Sequence, residues 1–328
     1  MISFSLPACS SFKAVTLSSN ELAALLACKL SGSVIYSKDI WKLFFQTFAV
    51  SLDGALDIFS GMKVTLTRPD PDVLDALGEV KVNNFSATQL TDAAFITTSF
   101  QIRLRPFLSL VSTDFLFSLS SKNFSCQTYE IVVDALSRQT SLMEEVQKEA
   151  IVNNFIYPFL SRNDLSDPKC ATNMTSISNW LEKNFGNFSA YATLTELQNL
   201  NGNFSSFGSL DLLSPTQVAE LTLSFGALNS TSQMIRVFNR LETGDAFTNV
   251  DVFLTALTSQ GTVNITPSVR DFMMNQTFKI ISVQFPEFET STWSSWFTGN
   301  LIPLLPSITS EMLTITISNI SCTNYEVM

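Results

Sequence analysis

The 328-residue chain contains no histidine. That absence excludes Ser-His and Cys-His nucleophiles, histidine general bases and every histidine-ligated metal site at once. Basic residues are also scarce, with 19 Lys and Arg against 29 Asp and Glu and a net charge of -10. With no basic run in the chain, this balance argues against nucleic acid or an anionic membrane surface as a partner. No Gly-rich phosphate loop and no Gly-x-Ser-x-Gly elbow occurs. Long hydrophobic runs are missing too: the densest, Trp41 to Val50 and Leu301 to Leu305, fall well short of the ~18 residues that a membrane span needs. Met1 to Cys9 carries no positive n-region, and its apolar stretch is short for a signal peptide, so the chain reads as a section of a longer protein.

What is present begins with a repeat. Asn123-Phe124-Ser125-Cys126-Gln127-Thr128-Tyr129-Glu130 returns as Asn319-Ile320-Ser321-Cys322-Thr323-Asn324-Tyr325-Glu326, identical at five of eight positions and 196 residues away. At the same offset Leu17 to Leu25 faces Leu213 to Leu221, and each copy opens with a capping box, Ser18 with Glu21 and Ser214 with Gln217. Leu104 to Leu108 faces Leu301 to Leu305, and Ser112 to Leu116 faces Thr309 to Leu313, with small slips. Residues 1–121 therefore read as the later part of one unit, 122–318 as a complete unit and 319–328 as the start of a third.

Within a unit the pattern is helical. Tyr129, Val132, Val133 and Leu136 share a face, and a capping box from Ser141 to Glu144 predicts the next helix, with Pro158 kinking or ending it. Trp180 to Phe185 predicts a short helix stopped by Gly186, and Thr193 with Glu196 opens another. Strand-like patches, Val64 to Thr67 and Leu313 to Ile317, are few. Short capped helices joined by brief polar loops predict an all-α chain, a solenoid of stacked short helices.

Five cysteines, Cys9, Cys28, Cys126, Cys170 and Cys322, lack CxxC spacing, which weakens zinc and thioredoxin-like readings. Pairing Cys9 with Cys28 and Cys126 with Cys170 leaves Cys322, the repeat mate of Cys126, unpaired; five buried thiols in a cytosolic helical protein is the other reading. Nine Asn-x-Ser/Thr acceptors lie at Asn84, Asn123, Asn173, Asn187, Asn203, Asn229, Asn264, Asn275 and Asn319. Roughly four or five would arise by chance in this composition, so the set points to the secretory pathway.

Other features have plain explanations. Trp41, Phe44, Phe45 and Phe48 read as helix core rather than a ligand pocket, and Trp293 with Trp296 as cover for the joint near Phe285-Pro286. Asp70-Pro71-Asp72 with Asp75 gathers carboxylates but lacks the EF-hand glycine and terminal glutamate, so Asp70 or Asp72 reads as a helix cap. No metal, cofactor or catalytic residue is expected.

The stretches Leu213-Ser214-Pro215-Thr216-Gln217-Val218-Ala219-Glu220-Leu221 and Trp180 to Phe185 followed by Thr193 to Leu197 resemble the mesothelin, stereocilin and otoancorin superfamily. The resemblance covers most of the chain in texture: short capped helices, acceptor sequons and sparse cysteines. It implies an armadillo-like superhelical ectodomain, at the cell surface or in extracellular gels, that works in adhesion without catalysis. It carries over no functional residue, since that family has no catalytic motif to match, and no dibasic processing site is visible here.

The sequence thus predicts an extracellular or cell-surface glycoprotein segment in cell-cell or cell-matrix adhesion, with protein or glycoprotein partners, homophilic ones included. Nucleic acid is excluded, and any membrane contact runs through a tether outside this chain. The alternatives are an intracellular helical-repeat scaffold with unused sequons and, third, a lipid carrier or enzyme.

Overall fold

The computed structural model describes residues 16–325 apart from 33, 64–69, 165, 173, 260 and 262. Among the described residues the regular structure is entirely helical: nineteen α-helices of 4 to 15 residues, with 3-10 and π turns between them. The chain is all-α. Among the described residues no single helix is long and apolar enough to cross a membrane, and the pair Lys38–Thr47 and Ala49–Ser60, which together reach that length, bends by 106° between them.

Helices this short need their ends satisfied locally, because the first four N–H groups of each have no partner inside the helix. Ser18 accepts from the Glu21 amide while Glu21 returns to the Ser18 amide at 2.9 Å. Ser86 with Gln89, Thr193 with Glu196 and Ser214 with Gln217 do the same. Asp70 caps Pro71–Val80 by accepting from the Asp72 amide, the structural role its sequence position predicts. Gly186, at φ +51°, ends Ile177–Phe185. A Cβ there would lie 2.0 Å from Ser137 Oγ, so both the torsion and the space require glycine.

Two local expectations shift. The helix predicted to open at Ser141 opens at Glu145, with Glu144 as its cap and Gln147 returning to the Glu144 amide at 3.0 Å. Met143 is the cause: its side chain is buried and its backbone extended, which confines Thr140–Leu142 to a 3-10 turn. The strand-like Leu313 to Ile317 is helical, within Ser310–Asn319. Thr314, Thr316 and Ser318 direct their hydroxyls to the carbonyls four residues back, so each side-chain donor is satisfied within the helix. Val64 to Thr67 lies outside the described residues.

Packing divides the chain into two units, one through Ala192 and one from Thr193. In the first, Ser19–Leu30 packs on Ala49–Ser60 and Lys38–Thr47 on Pro71–Val80. Its core carries stacked aromatic pairs, Trp41 on Phe45 at 5.7 Å, Phe59 on Phe107 at 5.3 Å and Tyr129 on Phe159 at 4.2 Å. In the second, Pro215–Ser224 packs on Ala246–Ser259 and Thr231–Leu241 on Pro267–Ile281. Trp293, buried, faces Phe285 at 4.7 Å, Phe288 at 5.2 Å and Phe297 at 5.6 Å, closing the joint at Phe285-Pro286.

The order of elements in residues 19–137 recurs in 215–325. Pro71 and Pro267, 196 residues apart, each occupy the first position of a helix. The π turn Thr97–Arg103 is matched by Trp296–Asn300, and the helix beginning at Cys126 by the one beginning at Cys322. The structure also shows a third occurrence of one element that the 196-residue offset does not reveal. Leu104-Arg105-Pro106-Phe107-Leu108 and Leu301-Ile302-Pro303-Leu304-Leu305 each follow a π turn, and Ile156-Tyr157-Pro158-Phe159-Leu160 begins at the last residue of one. In each, an amide bonds to the carbonyl five residues back: Leu104 to Ser99 at 2.9 Å, Leu301 to Trp296 at 2.8 Å, and Tyr157 to Val152. Proline supplies no amide hydrogen, and the residue added by the wider turn brings the apolar residues flanking it onto one face. Leu104, Phe107, Ile156, Phe159, Leu301 and Leu304 are all buried, while Arg105 and Ile302 are exposed.

Candidate functional site

The site with the most specific geometry is built around the first copy of the repeated octapeptide. Ser125 accepts from the Thr128 amide and so fixes the start of Cys126–Ser137, with Cys126 as its first residue. Cys126 is bonded to Cys170, 44 residues on, with their Cα atoms 5.4 Å apart. Cys170 is fully buried and, with Lys169, takes left-handed backbone torsions, φ 47° and 60°. Such torsions cost energy in non-glycine residues, and the surroundings hold them. Trp180 Nε1 donates to the Lys169 carbonyl at 3.0 Å, and the Thr172 amide and hydroxyl both bond the Asp167 carboxylate.

Behind the disulfide, Tyr129 is completely buried, and its hydroxyl donates to the Asn184 carbonyl at 2.7 Å. Burial pushes its ionisation well above the ordinary tyrosine range, with the neighbouring Glu130 adding to the effect. Glu130 is itself raised, first by burial, with Lys183 at 3.6 Å opposing the shift. Gln101 donates to Asp134 at 2.9 Å and Arg138 to the same carboxylate at 2.9 Å. These groups line an open groove of about 730 Å³ that Asn187 borders. A second groove, about 740 Å³, runs between Phe59, Arg105, Leu110, Leu142 and Glu144. Both are open and mix polar with apolar lining, unlike the enclosed apolar cavity a lipid carrier needs.

The other cysteines stand apart from this clamp. Cys28 is an exposed free thiol in Ser19–Leu30, and its predicted mate Cys9 lies outside the described residues. Cys322, the first residue of its helix as Cys126 is of its own, is likewise an exposed free thiol.

Of the nine acceptor asparagines, Asn173 lies outside the described residues and the other eight, Asn84, Asn123, Asn187, Asn203, Asn229, Asn264, Asn275 and Asn319, are exposed. Seven of the motifs share a local plan. The residue after the asparagine is apolar and turned inward: Phe124, Phe188, Phe204 and Ile265 are buried, and Phe85, Met174 and Ile320 are half-buried. In three of these seven the Ser or Thr is a helix N-cap, namely Ser86, Ser125 and Thr266. Capping explains the hydroxyls of Ser86 and Ser125, whereas the Thr266 hydroxyl donates to the Leu228 carbonyl at 3.2 Å instead. Two of the asparagines have partners as well: Asn84 Nδ2 donates to the Val80 carbonyl at 2.9 Å, and Asn123 Oδ1 accepts from Arg162. Asn275 departs from the plan. It sits inside the 15-residue helix Pro267–Ile281, and the hydroxyl of Thr277 is buried without a partner, so a glycan there would have to be added before the helix folds.

Sequence reasoning located the cysteine pair and the acceptors but missed the groove of Gln101, Glu130, Asp134, Arg138 and Lys183. Its members come from three separate helical segments: Glu130, Asp134 and Arg138 recur at every fourth residue along one helix, a spacing that marks a shared face, whereas Gln101 and Lys183 join them only through packing. Comparison of the chain with protein-family models, with curated proteins and with solved structures gives no match.

Proposed function

We propose that this chain is a segment of a secreted or surface-tethered adhesion glycoprotein, in which stacked helical repeats present an extended protein-binding surface between glycans. The observation that carries the reading is the pairing of an exposed acceptor, Asn123, with a disulfide that begins three residues later and is buried at Cys170. Disulfides persist in oxidising compartments, which are also where asparagine acceptors are used. Eight outward acceptors on one helical chain agree with that compartment. The resemblance to the mesothelin, stereocilin and otoancorin superfamily supplies the solenoid arrangement and the adhesive role. Repeat arrays bind through extended surfaces rather than pockets, which suits a chain whose grooves are open and mixed in character.

The capping role of Ser86 and Ser125 favours a second reading, an intracellular helical-repeat scaffold whose sequons are by-products of helix starts. Treatment of the native protein with an N-glycosidase, together with thiol counting, separates the two. A mass loss and unreactive Cys126 and Cys170 support the glycoprotein; an unshifted mass with both thiols reactive establishes the scaffold.

A further inference from the structure

The groove beside the disulfide has an acceptor asparagine, Asn187, in its wall. All of its lining comes from residues 101–189 of the first unit, far from either end of the chain. Its volume, about 730 Å³, falls in the range of roughly 300–1,000 Å³ that small organic ligands occupy. Glu130 and Asp134 offer carboxylate oxygens to it, Gln127 and Lys183 offer donors, and Ile131 offers apolar surface. Such a lining suits a ligand rich in hydroxyls that also carries a methyl group, the chemistry of an N-acetylated sugar.

Asn187 is fixed to that groove by a distant part of the chain. Its backbone amide donates to Ser137 Oγ at 3.2 Å, and its side-chain Nδ2 donates to the Ser137 carbonyl at 3.0 Å and to Thr140 Oγ1 at 3.4 Å. Thr140 Oγ1 in turn donates to the same carbonyl at 2.9 Å. These three side-chain and carbonyl atoms form a nearly equilateral triangle, so one N–H serves both oxygens, since the two N–H bonds of a planar amide diverge far more widely. Among the described residues the second N–H has no partner, and it is the bond that a glycan replaces. Asn84 and Asn319, by contrast, direct Nδ2 to carbonyls four residues back along the chain. The Asn187 amide is instead anchored to the end of Cys126–Ser137, the helix whose face carries Glu130 and Asp134.

We propose that the glycan carried by Asn187 folds back into this groove, which is thus a saccharide-binding site for the chain's own first N-acetylated sugars. This rests on the secretory reading. In the attachment, the amide nitrogen bonds the anomeric carbon of a diphosphate-activated oligosaccharide, the C–O bond to the diphosphate breaks, and the amide proton leaves with the diphosphate. One N–H remains and keeps the Ser137 bond, so the first sugar starts from a fixed point in the groove wall. A tethered ligand has a high effective concentration, and weak contacts suffice to hold it. Sugar hydroxyls donate to Glu130 and Asp134 and accept from Gln127 and Lys183, while the acetyl methyl meets Ile131. A groove filled in this way is closed to protein partners, and adhesive contact then runs through other surfaces of the chain.

The test uses the protein secreted by the cells that produce it, with its glycans intact. Glycopeptide mapping reads occupancy at each acceptor, N-glycosidase digestion of the folded protein reads the accessibility of each glycan, and acylation reads Lys183, whose side chain is 47% exposed without a glycan. The Asn187 glycan is expected to be released about tenfold or more slowly than the others, the factor that one net hydrogen bond to a charged group supplies. After unfolding, all should be released at one rate. Asp134→Ala and Lys183→Ala should leave Asn187 occupied and raise its release to the common rate. Lys183 should react slowly in the glycoprotein, fast in Ser189→Ala, which lacks the acceptor, and slowly again in Ser189→Thr, which keeps it. Protein from cells in which glycan transfer is blocked has the sequence unchanged, and its Lys183 should react as in Ser189→Ala. An Asn187 glycan released as fast as the rest overturns the proposal, as does slow release that survives both groove substitutions, or an empty Asn187 beside other occupied acceptors. Those three results leave the secretory reading standing. The absence of a glycan at every acceptor overturns that reading, and the groove's occupant with it.

Discussion

The Tyr129 hydroxyl donates a 2.7 Å hydrogen bond to the main-chain oxygen of Asn184, tying Cys126–Ser137 to Ile177–Phe185 at full burial. A buried carbonyl that loses its donor keeps its desolvation cost. Tyr129→Phe is therefore expected to cost about 1–3 kcal/mol, and Tyr129→Ala, which also removes the stack on Phe159, about 3–5 kcal/mol. Urea denaturation under oxidising conditions measures both, and a phenylalanine variant as stable as the parent would show that the bond contributes nothing.

Removing the disulfide acts mainly on the unfolded chain. Closing a loop of 44 residues restricts that ensemble, so the Cys126→Ala/Cys170→Ala double variant should lose about 3–4 kcal/mol. Reductant should destabilise the parent by a similar amount and leave the double variant unchanged.

Gly186 meets two constraints at once, a positive φ and a backbone pressed against Ser137. Gly186→Ala should cost about 1–3 kcal/mol. Adding Ser137→Ala removes the Oγ contact but leaves the Ser137 Cβ at 3.1 Å and the torsion, so the double variant should recover part of the loss and no more. Full recovery in a thermal melt would place the whole cost in the contact.

These positions show how unevenly the structure is written in the sequence. Helix starts were legible, because Ser18-Glu21, Thr193-Glu196 and Ser214-Gln217 satisfy backbone donors within four residues, and Gly186 was legible as a stop. The start at Glu145 was not, since it depends on Met143 being drawn into the core, a tertiary event with no local pattern. The proline element shared by Pro106, Pro158 and Pro303 escaped a comparison at a single offset, which pairs only the first and last. Gln101 and Lys183 join Glu130, Asp134 and Arg138, which share one helix face, only after distant helices pack.

Burial and pairing with lysine give the carboxylates opposing pH signatures. Asp75, Glu130, Glu220 and Asp251 are raised above their ordinary values, in each case first by burial. A raised folded-state value means that the folded state holds its proton more tightly. The stability this gives is complete below the ordinary carboxylate value and is lost as pH rises through the folded value. Glu79, which accepts hydrogen bonds from Lys42 and Lys38, is lowered, so its contribution is present above its ordinary 4.5 and lost as pH falls through the folded value. Mild acidification from neutrality should therefore raise stability until the lowered group begins to protonate. Glu130→Gln should flatten the part of the profile above pH 4.5, the ordinary value for glutamate. A stability curve for this variant parallel to the parent between that value and neutrality would contradict the assignment.

Ser86 separates capping from glycosylation. Its side chain caps Ala87–Thr91 in a full capping box with Gln89, and it is also the hydroxyl residue of the acceptor motif at Asn84. Ser86→Thr keeps both roles and should match the parent in mass and stability. Ser86→Ala removes both, costing one glycan if Asn84 is used and about 1 kcal/mol of stability. Ser86→Gly removes the acceptor equally but should cost only a few tenths of a kcal/mol, since glycine at an N-cap leaves the amides open to water. Equal masses for the alanine and glycine variants, both below the parent, with alanine less stable, would show that one hydroxyl serves both roles. If all three variants keep the parent's mass, Asn84 carries no glycan, and the serine is there for the helix alone.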